Sequence, residues 1–152
     1  MKISGNYTLK TTPEVFWKMV MDPDVLEKVT PGIKKLKPLG SDKYEALSEV
    51  KVGPVKGEFT GFLSMEDKVE NESCVLVVDQ KSKMGNAVAR IAMNFSATDD
   101  GQTQVQYSGD SKLSGMLARM GQRIMSGVVS TLSKQFFKSM EKELEERHMA
   151  DG

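Results

Sequence analysis

Hydrophobic and polar positions alternate with a period of two in most of the segments before residue 114. Such alternation is typical of β-strands that are buried on one face. In the clearest case six positions share one face: Ala87, Ala89, Ile91, Met93, Phe95 and Ala97. Turn-forming segments such as 84–86 and 99–101 separate the runs, so neighbouring strands are predicted to be antiparallel. The pattern predicts a first strand at residues 2–9 and a meander of about six strands from Ile33 to about Leu113.

Two short helices are predicted between the first strand and the meander. The first begins at Thr11–Glu14, where a hydroxyl cap precedes an early proline and a glutamate. Its predicted buried face consists of Val15, Phe16, Met19 and Val20. The second begins at Asp22–Asp24, which repeats the polar residue followed by proline, and it ends at Thr30–Gly32.

The period changes to that of a helix after the meander. Apolar residues fall three or four positions apart from Leu113 to Leu144, and residues 114–147 contain no proline. One helix of about 34 residues, roughly 50 Å long, is therefore predicted. Because a sheet with one apolar face must cover that face, we expect the helix to lie across it. The fold class is α+β: a curved antiparallel sheet of about seven strands around one long C-terminal helix, a helix-grip arrangement in a single domain of residues 1–152.

The composition excludes several classes of protein. Twenty-one basic and twenty-one acidic residues give a net charge of zero, so nothing in the total charge favours nucleic acid as a partner. The single cysteine excludes an internal disulfide, and the single histidine excludes sites that need two imidazoles. No metal or other cofactor is expected. The chain has no signal-peptide pattern and no apolar run of about 20 residues, so a cytoplasmic location is predicted, with peripheral contact at the inner face of the membrane left open.

Small residues and methionines predict a hollow between the sheet and the helix. Glycines flank Phe59, alanines precede Ile91, and three glycines occur in the helix. The chain also has eleven methionines, whose flexible side chains adapt to varied apolar partners. A solid, loosely specified core is the alternative interpretation of the same residues. A hollow interior would be an apolar binding site for a small molecule.

Three sequence blocks and the N-terminus resemble a known family over nearly the full length. The blocks are Asp22–Leu26 followed by Thr30–Gly32, then Val52–Gly57, then Leu117–Ile124 running on to Gln135–Phe137, and the N-terminal match is Met1–Gly5. In this order they resemble the carbon monoxide dehydrogenase G-subunit (CoxG) family, within the START-like (SRPBCC) superfamily. The resemblance implies a START/Bet v 1-like helix-grip fold with a deep apolar cavity. It also implies a link to molybdenum-containing carbon monoxide dehydrogenases and related oxidoreductases.

The predicted ligand-binding residues are inward-facing positions of the strands and of the first half of the helix. They are Phe59, Gly61, Leu63, Leu76, Val78, Ile91, Met93, Phe95, Tyr107, Met116, Leu117, Met120, Ile124 and Val128. Gln80 and Tyr107 share the inward parity of their strands and are candidates for polar contacts with a ligand.

The remaining cysteine, histidine and charged residues are predicted to be buried, solvated or available for contact with a partner. Cys74 begins an apolar strand and is predicted to be a small buried hydrophobe rather than a reactive thiol. Asp99-Asp100, the glutamates of residues 141–146 and His148 are predicted to be solvated. Residues 111–140 contain five cations and no acid, and within them Arg119 and Arg123 are candidates for contact with a protein partner or with anionic lipid.

Three functions remain open at this point. The first is a non-enzymatic carrier of a quinone or similar lipid, accessory to the oxidoreductase that the resemblance implies. The second is an interaction, maturation or membrane-recruitment subunit of that oxidoreductase with no ligand. The third is an enzyme of the cyclase or hydrolase type, which is the weakest because no acid–base pair can be assigned.

Overall fold

Seven antiparallel strands form one sheet in a computed structural model, which describes the backbone of residues 1–151 and the side chains of residues 1–147. The strands are β1 Lys2–Leu9, β2 Ile33–Gly40, β3 Lys43–Val52, β4 Val55–Val69, β5 Ser73–Ser82, β6 Gly85–Ala97 and β7 Thr103–Leu113. Their order in the sheet is β1-β7-β6-β5-β4-β3-β2. Strands β2 to β7 form the predicted meander, and β1 pairs with β7 at its edge. The predicted strand number and the antiparallel arrangement are confirmed.

Two short helices connect β1 to β2, as predicted, and polar side chains cap both. Helix α1 spans Pro13–Val20, and the Oγ1 atom of Thr12 accepts a hydrogen bond from the backbone N–H of Val15 at 3.3 Å. Helix α2 spans Pro23–Val29, and the Oδ1 atom of Asp22 accepts from the N–H of Asp24 at 2.9 Å.

The predicted buried face of α1 is wrong at Val15. That side chain is 39% exposed, whereas Phe16, Met19 and Val20 are buried together with Pro13. Val15 lies four residues before Met19, so the spacing alone places it at the edge of the buried face, and this edge is exposed in the structure.

The C-terminal segment forms two helices rather than the single helix predicted for residues 114–147. Helix α3 spans Gly115–Arg119 and helix α4 spans Gln122–Asp151. Gly121 lies between them with φ of +89°, a conformation that glycine adopts without the steric cost of a Cβ atom. The long C-terminal helix is confirmed, but it begins about two turns later in the chain than predicted.

One hydrophobic cluster lies where α1, α2 and the second half of α4 meet the sheet. Phe16 contacts Phe95 edge to face, with ring centroids 5.0 Å apart. Phe137 of α4 stacks on Tyr7 of β1 at 4.7 Å, and Met140 is fully buried in the same cluster. This end of α4 is therefore firmly packed against the sheet.

The expectation that all the glutamates of residues 141–146 are solvated is wrong for Glu143. Its residue is only 8% exposed, and its Oε1 atom lies 3.7 Å from the Nζ of Lys28 and 3.4 Å from the Nε of Arg147. Burial follows from the packing of α2 against α4, which brings Lys28 over the glutamate. Asp99 and Asp100 are exposed, as predicted, and His148 lies outside the residues whose side chains are described.

A second, smaller cluster lies at the other end of the sheet, beneath α3 and the start of α4. Its buried members are Val55, Phe59, Leu117, Met125 and Val128. No helix within residues 1–151 has both the length and the apolar character needed to cross a bilayer.

Candidate ligand-binding cavity

A cavity of about 380 Å³ lies between α4 and the concave face of the sheet. Residues of both hydrophobic clusters contribute to its wall, so it occupies the space between the two packed ends. Its volume falls in the range of about 300–1,000 Å³ that is usual for small-molecule sites. The hollow interior that the sequence predicts is present.

Inward-facing strand positions form the floor of the cavity. One row of paired residues crosses the sheet from Leu63 on β4 through Val78 on β5 to Ala89 on β6. Ala87 and Ala89 on β6 also line the floor and carry only a methyl group each. The period-two alternation therefore decides which side chains line the cavity.

Helix α4 forms the roof, and α3 closes one end. The roof consists of Met125, Val128, Val129, Leu132, Ser133, Phe136 and Phe137, and α3 contributes Leu117. The backbone N–H of Leu117 donates to the carbonyl oxygen of Met84 at 3.0 Å, and the N–H of Asn86 donates to Ser114 Oγ at 2.9 Å. A Cβ on Gly85 would overlap the carbonyl oxygen of Ser114, so only glycine allows this close approach. The turn between β5 and β6 thus fixes α3 over the cavity.

The cavity wall is almost entirely apolar. Among the described residues no lysine, arginine, aspartate or glutamate side chain lines it, and its only titratable side chains are Tyr44 and Tyr107. Burial raises the pKa of Tyr44, and the nearby Asp42 raises it further. Tyr44 is therefore neutral at physiological pH, and no described lysine, arginine, aspartate or glutamate side chain brings a charge to the cavity wall.

The chain is similar to known proteins in both sequence and fold. A family model described as the G-subunit of carbon monoxide dehydrogenase (CoxG) matches residues 5–145. The chain belongs to this family.

Solved structures similar to this CoxG-family chain share its fold. A conserved protein from Geobacillus kaustophilus is 30% identical, with 96% of each chain covered and a TM-score of 0.92. A START superfamily protein from Mycobacterium smegmatis is 11% identical over 95% of this chain and 97% of the other, with a TM-score of 0.76. A protein of unknown function from Staphylococcus aureus is 13% identical over 95% and 96%, with a TM-score of 0.66. No match to a curated protein sequence was found. The START-like helix-grip fold of the CoxG-family chain is confirmed.

Nine of the fourteen predicted ligand-binding residues line the cavity of the CoxG-family protein. They are Phe59, Leu63, Leu76, Val78, Ile91, Met93, Tyr107, Leu117 and Val128. Their contact with a ligand remains a prediction, whereas their inward orientation is observed. Gln80 also lines the cavity.

Two of the predicted strand residues lie elsewhere. Phe95 packs into the first hydrophobic cluster against Phe16 and Trp17. Gly61 offers no surface to the cavity, and a Cβ there would overlap the carbonyl oxygen of Asp79.

Three of the predicted helix residues also lie elsewhere, and the break at Gly121 separates two of them, Met116 and Met120, from α4. Met116 is 52% exposed and Ile124 is 45% exposed, while Met120 is half-buried against the second hydrophobic cluster. An unbroken helix would place Met120, Ile124 and Val128 on one face. In the structure Met125 takes the inward position that was predicted for Ile124.

Sequence reasoning also missed the part of the roof beyond Val128. Leu132 and Phe136 continue the same three- and four-residue spacing, so the signal for their inward orientation was present in the chain. Ala87 and Ala89, which the alternation places on the inward face of β6, also line the cavity.

The single cysteine is a structural residue, as predicted. Cys74 is buried in the first hydrophobic cluster, and burial raises the pKa of its thiol to about 11. The thiolate is therefore scarce at neutral pH, and this residue is a poor nucleophile. Within residues 1–147 no group of three histidine, cysteine, aspartate or glutamate side chains is arranged to hold a metal ion.

A second hollow lies beside the cavity, where the start of β2 and the end of β3 meet α4. This groove of about 360 Å³ shares Val50 and Leu132 with the cavity wall. At its rim the Nζ of Lys34 lies 2.7 Å from Glu49, and the Nζ of Lys51 lies 3.2 Å from the same carboxylate. The hydrogen bond from Lys34 lowers the pKa of Glu49, so the rim remains an ion-paired network at neutral pH.

Proposed function

We propose that this CoxG-family protein is a non-enzymatic carrier that encloses one quinone or similar lipid between α4 and the sheet. The observation that carries the proposal is the apolar cavity whose described lining contains no acidic or basic side chain. Burial of about 300 Å² of apolar ligand surface would contribute about 7 kcal/mol before the costs of association. The cavity can supply that area from Leu63, Ile91, Val128 and their neighbours.

The family description supports a place for this carrier beside a carbon monoxide dehydrogenase-type oxidoreductase. We propose that the protein serves a molybdenum-containing enzyme of that type as an accessory protein. An enzymatic role of the cyclase or hydrolase type has less support, because the described cavity side chains provide no carboxylate or imidazole for acid–base chemistry.

Native mass spectrometry of the delipidated protein tests the carrier proposal. Titration with a short-chain menaquinone is expected to produce a complex of one ligand per chain. A protein that remains in its unliganded mass with menaquinone and with other apolar molecules of similar size would contradict the proposal.

The junction of α3 and α4 favours contact with an anionic membrane as a second function. Met116 and Ile124 expose large apolar side chains there, and the exposed cations Arg119 and Arg123 lie on the same short stretch of chain. Apolar side chains beside cations are the combination that binds an anionic bilayer surface. This surface adjoins the end of the cavity that Leu117 closes. Docking would therefore bring the cavity close to the lipids of the bilayer.

Charge reversal at this junction tests the membrane function. The double variant Arg119→Glu and Arg123→Glu is expected to lower binding to vesicles containing phosphatidylglycerol at least tenfold, since each surface cation contributes about 1 kcal/mol. Vesicle co-sedimentation measures the loss. The control is Lys134→Glu with Lys138→Glu, which makes the same charge change further along α4. Equal binding by the two double variants would contradict a specific role for the junction.

A further inference from the structure

Gln80 is a buried polar side chain on an otherwise apolar cavity floor. It lies on β5, is 8% exposed and contributes to the cavity wall. Its partners in the sheet register are Gly61 on β4 and Ala87 on β6. Because neither neighbour has a long side chain, the amide has open space beside it on the cavity side.

The protein itself offers the side-chain amide of Gln80 only long hydrogen bonds. Its Nε2 atom donates to the carbonyl oxygen of Asp79 at 3.3 Å and to that of Phe62 at 3.5 Å. Both distances exceed the usual range of about 2.7–3.2 Å for such bonds. A buried amide gains stability from a better partner, and the cavity is the space from which one can approach.

The cavity also discriminates by charge. No lysine or arginine side chain among the described residues lines it, and the N-terminal ammonium of Met1 at the wall donates to the carbonyl oxygen of Ser111, two strands away from Gln80, at 2.7 Å. A carboxylate or phosphate beside Gln80 would therefore lose its hydration without a counter-ion next to it. An uncharged carbonyl or hydroxyl group loses less hydration and can regain a hydrogen bond from the glutamine amide. The buried residues of the wall that carry hydroxyl groups, Tyr44 and Ser48 on β3 and Ser111 on β7, lie two strands away from Gln80.

We propose that Gln80 is the polar subsite of the cavity and hydrogen-bonds a carbonyl or hydroxyl oxygen of an uncharged amphiphile. The subsite makes the protein select neutral lipids over fatty acids and lipid phosphates of the same chain length. This inference rests on the proposed carrier function and specifies the class of ligand.

Displacement of the uncharged dye N-phenyl-1-naphthylamine by three twelve-carbon probes tests the subsite. The probes are 1-dodecanol, 1-dodecene and dodecanoate at pH 8, which share a chain and differ in the terminal group. The wild-type protein is expected to bind dodecanol at least tenfold more tightly than dodecanoate. The variant Gln80→Leu is expected to bind dodecanol about three- to tenfold more weakly and dodecene with unchanged or higher affinity.

Controls separate the subsite from a structural effect and from the carrier proposal. Gln106→Leu makes the same substitution at an exposed position of β7 and is expected to leave all three affinities unchanged. If Gln80→Leu does not fold, Gln80→Met provides the second variant. Equal changes for dodecanol and dodecene, or dodecanoate binding as tight as dodecanol, would overturn the subsite while the carrier proposal stands. No binding of any probe by the wild-type protein would overturn both.

Discussion

Replacement of Ala89 by tryptophan is expected to reduce ligand affinity at least 100-fold and to leave the protein folded. Ala89 faces inward on β6, between Val78 and Ser111 in the sheet register. An indole at this position projects into a cavity of about 380 Å³ and occupies the space of the ligand. Since the cavity provides room for the added atoms, the cost of overpacking is expected to stay within about 1–3 kcal/mol. Dye displacement measures the affinity, and circular dichroism checks the fold.

Ala92→Trp is the matched control for this variant. Ala92 lies three residues further along β6 and is exposed on the opposite face of the sheet. The same added indole there is expected to leave ligand affinity unchanged. If Ala89→Trp binds ligand as tightly as Ala92→Trp does, the ligand does not occupy the cavity.

Among the substitutions proposed for this protein, the replacement of Phe137 by alanine is expected to cause the largest loss of stability. This residue is 5% exposed and joins α4 to β1 through the ring stacking with Tyr7 at 4.7 Å. Truncation of a buried phenylalanine lowers the free energy of unfolding by about 3–5 kcal/mol. For a chain of this length the melting temperature should fall by roughly 10 °C. Urea denaturation followed by circular dichroism measures the change.

Phe62→Ala is the control for the stability prediction. Phe62 is 39% exposed on the outer face of β4, with the Nζ of Lys43 4.6 Å from the centroid of its ring. Its truncation is expected to lower the free energy of unfolding by about 1 kcal/mol or less. A comparable loss for both variants would show that Phe137 does not anchor α4.

The sheet was predictable because its signals are local. Each strand alternates along its own length, and each turn carries its own glycine, proline, asparagine or aspartate, so no tertiary information is needed to find them. The caps of α1 and α2 are equally local. The same alternation identified most of the cavity floor, including Leu63, Ile91 and Gln80.

The break between α3 and α4 was not predictable in the same way. The apolar spacing runs through Gly121 without interruption, and isolated glycines are tolerated inside helices. What decides the break is tertiary: α3 is held by hydrogen bonds to the β5–β6 turn at Met84 and Asn86. Those contacts decide the orientation of Met116 and Met120, whereas Ile124 lies after the break on α4, whose inward face begins at Met125.

The burial of Glu143 has a similar origin. Glu143 lies three residues after Met140 and directly before Leu144, so its place on the apolar stripe is visible in the sequence, but a carboxylate there gives no sign of the partner that allows its burial. Its environment depends on Lys28, which precedes it by more than 100 residues. The hydrophobic periodicity of the sequence does not predict contacts between distant segments of the chain.

A crystal structure of the protein saturated with 12-bromo-1-dodecanol tests the central claim most directly, because anomalous scattering locates the bromine atom. The carrier proposal predicts one bromine position per chain inside the space bounded by Leu63, Ile91 and Val128. Bromine found only on the outer surface, with the side chains of α4 and the sheet interlocked beneath the helix, would contradict it.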